Sequence, residues 1–294
     1  MVLKSTTFSQ LHDGLTEKAK ALGLEVQSIG KVTHEVASEA VSYPLIKLVL
    51  GPESARVLLI DAGVHGEEIA GPLSLLEHFE EIVAYAKEKG VGLIIYPCVN
   101  PSAFDAKNRY NRKGEMVEND FLRYVREHAI VSDLRKSSDH DTWVWSSDPQ
   151  LNVSLSEEMK LFHQEFRKLP LKNVLGHVDL HQDYYREDVA SYFYIFGTGE
   201  DYVPLAKETD KLVPLLRSTP INSGYKKCPP EEMPHTDQHG LVRRHDGSIA
   251  DLFHRLGVPY VVTIETTGKT EFEAAMRVNV LWIKGFIDLI SQRK

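Results

Sequence analysis

Short apolar runs rich in Val, Ile and Leu alternate with longer stretches whose apolar residues recur every three or four positions. The short runs at 47–50, 57–61, 92–97, 178–181, 192–196 and 260–265 are bounded by Gly, Pro, Asn or Asp, which predicts strands. The longer stretches predict helices at about 8–22, 69–89, 155–168, 201–217 and 271–291. The last carries Phe272, Met276, Val280, Ile283, Ile287 and Ile290 along one stripe. Ser154 with Glu157, and Thr270 with Glu273, have the spacing of capping boxes. No repeat, low-complexity tract or long linker interrupts the pattern, so a single domain over 1–294 is expected. Strands alternating with helices indicate an α/β fold on a parallel or mixed sheet. Such sheets place ligands at the carboxyl ends of their strands. Segments 107–150 and 218–250 are polar and turn-rich, as functional loops are.

Chemistry-bearing residues cluster where strands end. The run V-L-L-I-D leads into A-G-V-H-G-E-E, with His65 and Glu68 three apart on a turn entering a helix. That spacing lets an imidazole and a carboxylate reach one metal ion about 2 Å away, although an exposed pair at a loop–helix junction is an equal reading of this motif alone. The run G-H-V-D-L-H ends at His181, with Asp179 on the same strand face. His181 is a candidate third ligand, and Asp179 is either its orienting partner or a solvated strand-edge acid. His177 shares that face but lies deeper. Y-V-V-T-I-E carries Glu265. A carboxylate closing a Val/Ile-rich strand is costly to bury without a task, and beside a metal's water it would be a general base. After Asn100-Pro101 comes a loop with Arg109 and Arg112. Such cations are usually just solvated, but one near a metal would stabilise an oxyanion. His235 and His239 are four apart, but Pro234 and Gly240 favour a loop. Cys98 follows a strand and reads as a buried structural thiol.

H-x-x-E after a strand, then N-P, then N-R-Y-N-R, then a strand ending in one His, then a strand ending in T-I-E: this order resembles the zinc carboxypeptidases of the carboxypeptidase A type. The resemblance implies a three-layer α/β/α fold with a mixed, mostly parallel twisted sheet of about eight strands. It implies one zinc per chain on His65, Glu68 and His181, Arg112 as the carbonyl-polarising cation and Glu265 as general base, in the hydrolysis of an amide (peptide) bond. Ile249, in G-S-I-A-D-L-F, falls near the specificity pocket. The family's Asn-Arg carboxylate clamp is missing. The matching stretch reads G-E-M-V-E-N-D-F, so Asn119 remains as a substrate-binding candidate, and Arg109, Arg112, Arg186, Arg243 or Arg244 would have to replace the Arg. The succinylglutamate desuccinylase/aspartoacylase group is similar too, including a D-L-H strand end like Asp179-Leu180-His181. It implies release of an acyl group from an N-acyl amino acid. A metal-free binding protein on the same fold is the third alternative, which retention of the ligands and Glu265 disfavours.

Composition narrows the setting. The chain has 294 residues, with 34 Lys+Arg against 42 Asp+Glu and a net charge of -8, a poor basis for nucleic-acid binding. Two cysteines are too few for a disulfide framework. No apolar run reaches the ~18 residues of a membrane span, and the first residues lack a signal-peptide core. The expectation is a soluble, cytoplasmic protein with a peptide or N-acyl amino acid substrate and no nucleic-acid or membrane partner. Its oligomeric state is not legible.

Overall fold

A computed structural model of the chain describes residues 5–51, 55–117, 121–131, 142–197, 199–221 and 233–293. The elements begin with α1 (Phe8–Ala21), β1 (Glu25–Val36), β2 (Glu39–Leu50), β3 (Val57–Ala62), α2 (Ala70–Glu77), α3 (Phe79–Lys89), β4 (Gly92–Tyr96) and α4 (Pro101–Ala106). They continue with β5 (Leu122–Arg126), β6 (Ala129–Val131), β7 (Thr142–Trp145), α5 (Glu157–Phe166), β8 (Val174–Asp183) and β9 (Ser191–Ile195). The chain closes with α6 (Val203–Thr209), β10 (Leu241–Val242), α7 (Ile249–Arg255), β11 (Tyr260–Thr267) and α8 (Phe272–Ser291).

Eight strands form one mixed sheet in the order β1-β2-β4-β3-β8-β11-β9-β10. The central pairs β4–β3, β3–β8 and β8–β11 are parallel, as is β9–β10 at the edge. Every residue of β3 and β4 is buried, which explains why these strands read as unbroken apolar runs: helices cover both faces. On one face α8 packs Phe286 and Ile290 against Gly176 of β8, and Gly71 of α2 lies against Leu180. On the other, Phe253 of α7 meets Phe166 of α5 and the ring of His177. This is the expected α/β/α layering. The wide apolar face of α8 includes Trp282, whose ring lies 4.1 Å from that of Phe193 and whose Nε1 donates to Thr209 Oγ1 at 2.8 Å. No described helix is long and apolar enough to cross a membrane.

Several local expectations change. The helix expected over 69–89 is two, separated at His78. That expected to 217 stops at Thr209, because Pro214 cannot continue it and its carbonyl instead accepts from Ser191 N at 2.9 Å. Ser156, not Ser154, caps α5 by accepting from Met159 N. Glu271, not Thr270, caps α8, and the Thr270 hydroxyl bonds Ala190 O instead. The irregular segment 107–150 contains α4's exit and a small antiparallel sheet, β6-β5-β7.

Candidate metal centre and cleft

Gly66 sets the geometry at the end of β3. A Cβ there would lie 1.9 Å from the Ala103 carbonyl carbon, so only glycine lets α4 approach this turn. The Gly66 amide donates to Asn108 O at 3.0 Å, pinning the loop that carries Arg109. Glu68 N reaches back to His65 O, closing a turn ahead of α2. His65 Nδ1 then lies 2.6 Å from Glu68 Oε1, both side chains buried.

The remaining groups come from adjacent strands whose register fixes their order. Across β8 and β11, Asp179 pairs with Thr263 and His181 with Glu265. Across β11 and β9, Thr263 pairs with Tyr194 and Glu265 with Tyr192. Since residues two apart share a sheet face, these six form two rows across the floor of a cleft. His181 Nδ1 is 2.8 Å from Glu68 Oε2, and its Nε2 is 2.9 Å from Asp179 Oδ1. Among the described residues, His65, Glu68 and His181 form a group whose ligand atoms lie within 4.8 Å of one another, as a metal site requires. Two imidazole nitrogens and a carboxylate suit a divalent ion with an open position. Another H-x-x-E, His78–Glu81, lies at the start of α3, its side chains 3.3 Å apart, and belongs to no such group among the described residues.

Electrostatics tie the cluster together. Burial alone would push the Glu68 carboxyl up, but the imidazoles of His65 and His181 outweigh it and hold it below the usual carboxylate range. His181 responds in the opposite sense: burial opposes its charge, yet Asp179 and Glu68 raise it well above an ordinary histidine. Glu68 also accepts from Arg109 Nη1 at 3.2 Å and from the Gln182 amide at 3.0 Å.

The other expected residues divide. Arg109 lines the cleft, with its guanidinium 5.4 Å from the Tyr185 ring centre. Arg112 does not. Its amide is fixed to Ser102 Oγ, and its exposed side chain hydrogen-bonds the Tyr43 hydroxyl away from the cleft. The structure thus does not bring Arg112 to the position expected beside the carbonyl: Lys107 adopts φ 49, Asn108 O accepts from Gly66 N, and it is Arg109 that lines the cleft. Ile249 is 1 % exposed and belongs to the hydrophobic core, while its neighbour Ser248 faces the cleft. Asn119 lies outside the described residues, as does Cys228. Among the clamp candidates, Arg186 pairs with Asp188 and Arg243 Nε donates to Gly197 O. Arg244 lines the cleft at 5 % exposure, its Nε 3.7 Å from Asp246 Oδ2. His235 is exposed at an isolated bridge to Pro220 and His239 is half-buried in a turn, and burial pushes the Cys98 thiol up. Motif reading passed over Asp61, Tyr192, Tyr194 and Asp246. Of these, the two tyrosines were detectable as alternate positions of a strand already read.

The eight-stranded mixed sheet between helical layers is a carboxypeptidase-like α/β fold. The model for the succinylglutamate desuccinylase/aspartoacylase catalytic domain matches residues 54–194, a span that includes His65, Glu68, Arg109 and His181. A candidate metallopeptidase from Shewanella baltica OS155 superposes with a TM-score of 0.70 at 24% identity, covering 97% of this chain and 93% of that one. One from Shewanella amazonensis SB2B gives 0.69 at 21%, covering 97% and 94%. Bovine thrombin-activatable fibrinolysis inhibitor gives 0.58 at 16%, covering 97% of each. No curated protein sequence matches the chain. The fold is thus that of the carboxypeptidase-like hydrolases.

Proposed function

We propose that the protein is a zinc-dependent amide hydrolase, with one zinc held by His65, Glu68 and His181. The observation that carries this reading is the convergence of those three donors within 4.8 Å on a cleft that Glu265 and Arg109 also line. When bound, such an ion polarises a carbonyl oxygen and lowers the pKa of its water from 15.7 to about 7. Glu265, across the strand pair from His181, takes the proton from the attacking water and returns it to the leaving amine. Arg109 stabilises the negative charge that develops on the carbonyl oxygen. The buried guanidinium of Arg244 receives a free carboxylate, which fits an amide one residue from a carboxylate group.

Both a peptide's C-terminal residue and an N-acyl amino acid present that arrangement. The match of residues 54–194 to the desuccinylase/aspartoacylase domain favours the N-acyl amino acid. A His₂Glu set also accepts other divalent ions, so metal analysis of the purified protein is the first measurement. It is followed by a panel of C-terminal peptides, peptidoglycan-type peptides and N-acyl amino acids. Stoichiometric zinc with turnover of N-acyl amino acids is the expected result. Turnover of peptides alone would overturn the small-substrate reading, and absence of both metal and turnover would overturn the hydrolase.

A further inference from the structure

Two ionisable side chains beneath the cleft take no part in the chemistry above: Asp61 at the end of β3 and His177 in β8, each 0 % exposed. Burying such groups is costly unless they hold each other or something else. The sheet register shows what they hold. Asp61 pairs with Asp179 across β3 and β8, and His177, Asp179 and His181 follow one another on a single face of β8. His177 Nε2 is hydrogen-bonded to Asp61 Oδ1. The Asp61 carboxyl stands beside Asp179 across the strand pair, and burial together with that neighbour raises it above the usual carboxylate range; Asp179 Oδ1 in turn lies 2.9 Å from His181 Nε2. A line of four side chains, His177–Asp61–Asp179–His181, runs from the core to the cleft.

An imidazole that binds an ion through one nitrogen is oriented by what its other nitrogen meets. For His181 that partner is Asp179. Asp179 itself is weakly held from the β11 side, where Thr263 Oγ1 reaches its Oδ2 only at 3.4 Å. Asp61 stands beside it on the β3 side. His177 in turn fixes Asp61, with its own ring seated 4.6 Å from that of Phe253. We infer that Asp61 and His177 are positioning residues for the metal centre: through Asp179 they set the ring of His181, so that affinity for the ion depends on two side chains that never touch it. The inference rests on the assignment of His65, Glu68 and His181 as ligands.

The test is zinc affinity, measured by competition with a chromophoric chelator on the full-length protein, with thermal stability followed in parallel. Asp61→Ala and His177→Gln are expected to weaken zinc binding by roughly 10–100-fold, the usual effect of losing an outer partner of a ligand. Asp61→Asn, which keeps the shape and a hydrogen-bonding amide, is expected to recover most of the loss. A pair that serves only the core would lower the melting temperature and leave zinc affinity at the native level in both variants, and that result would overturn the inference. Should Asp61→Ala fail to fold, native affinity in His177→Gln decides the matter alone. A native protein that binds no zinc would instead overturn the ligand assignment, which separates the two failures.

Discussion

Arg109 and Arg112 stand three positions apart in one loop, and the placement of Arg109, not Arg112, at the cleft gives a direct test of the proposed roles. Arg109→Ala removes a guanidinium whose Nη1 is 3.2 Å from Glu68 Oε1 and whose side chain is 17 % exposed. Two losses follow. Loss of one oxyanion donor costs about 3–4 kcal/mol, or roughly 10²–10³ in kcat. Loss of a charge-assisted bond to a metal-binding carboxylate weakens the ion by about 10–100-fold, which excess zinc offsets. Steady-state kinetics at saturating zinc, on the best substrate of the panel, therefore isolates the first. Arg112→Ala removes an exposed group bonded to Tyr43 and should leave kcat unchanged and stability within about 0.5–1 kcal/mol. Arg109→Lys should rescue only partly, because an ammonium replaces a planar fork. Equal losses of kcat in the two alanine variants would refute the loop geometry. A raised KM with unchanged kcat in Arg109→Ala would move that residue from polarising the carbonyl to anchoring the substrate.

Glu265→Gln should retain zinc and fold while losing about 10²–10⁴ in turnover. Loss of the metal, read by elemental analysis, would make Glu265 a ligand and not a base. Gly66→Ala forces a methyl to 1.9 Å from the Ala103 backbone and should cost about 3 kcal/mol or more. A melting temperature equal to that of the native protein would show that α4 can retreat. His163 is buried against Phe121 and Trp145, and burial first, then Arg167, lowers its pKa to about 4 from 6.5. The native state thus stays neutral where the unfolded chain takes up a proton, so its contribution is complete above pH 6.5 and lost as pH falls toward 4. His163→Phe should flatten stability over that window in urea titrations, and an unchanged slope would count against it.

The central strands and α8 were legible because burial wrote itself into composition. The runs in β3 and β4 are apolar without alternation, and α8 repeats its apolar residues at helical period. The β1–β2 and β5–β6 hairpins were not. Their turns place Ala37 and Ser38, and Glu127 and His128, at φ between 49 and 69, where a Gly or Asn would have been the signal. Long-range pairing was equally hidden. Asp61 and His177 look unremarkable in their own segments, and only the β3–β8 register brings the Asp61 carboxyl to Asp179. Arg243 and Arg244 are neighbours, yet one caps a carbonyl of Gly197 and the other enters the cleft. The H-x-x-E pattern occurs twice, and what separates His65–Glu68 from His78–Glu81 is a third residue from another strand.

The arrangement divides its tasks between parts of unequal rigidity. His181, Glu265, Tyr192 and Asp179 stand on three adjacent strands of the buried sheet, where the register leaves little freedom to change their spacing. Arg109 and Arg244 stand on connecting segments. Connecting segments tolerate change better than the elements they join. Under the proposed function, a site built this way would keep ligands and base at fixed separation while the cations that meet the carbonyl and the carboxylate vary with loop sequence. That is the pattern in this chain: the H-x-x-E, D-L-H and T-I-E strand ends stay recognisable, and the departures from the carboxypeptidase pattern fall in loops. Arg244 brings a buried guanidinium to the same cleft from the β10–α7 segment, so under the proposed function the missing clamp arginine is a change of address and not a loss of chemistry.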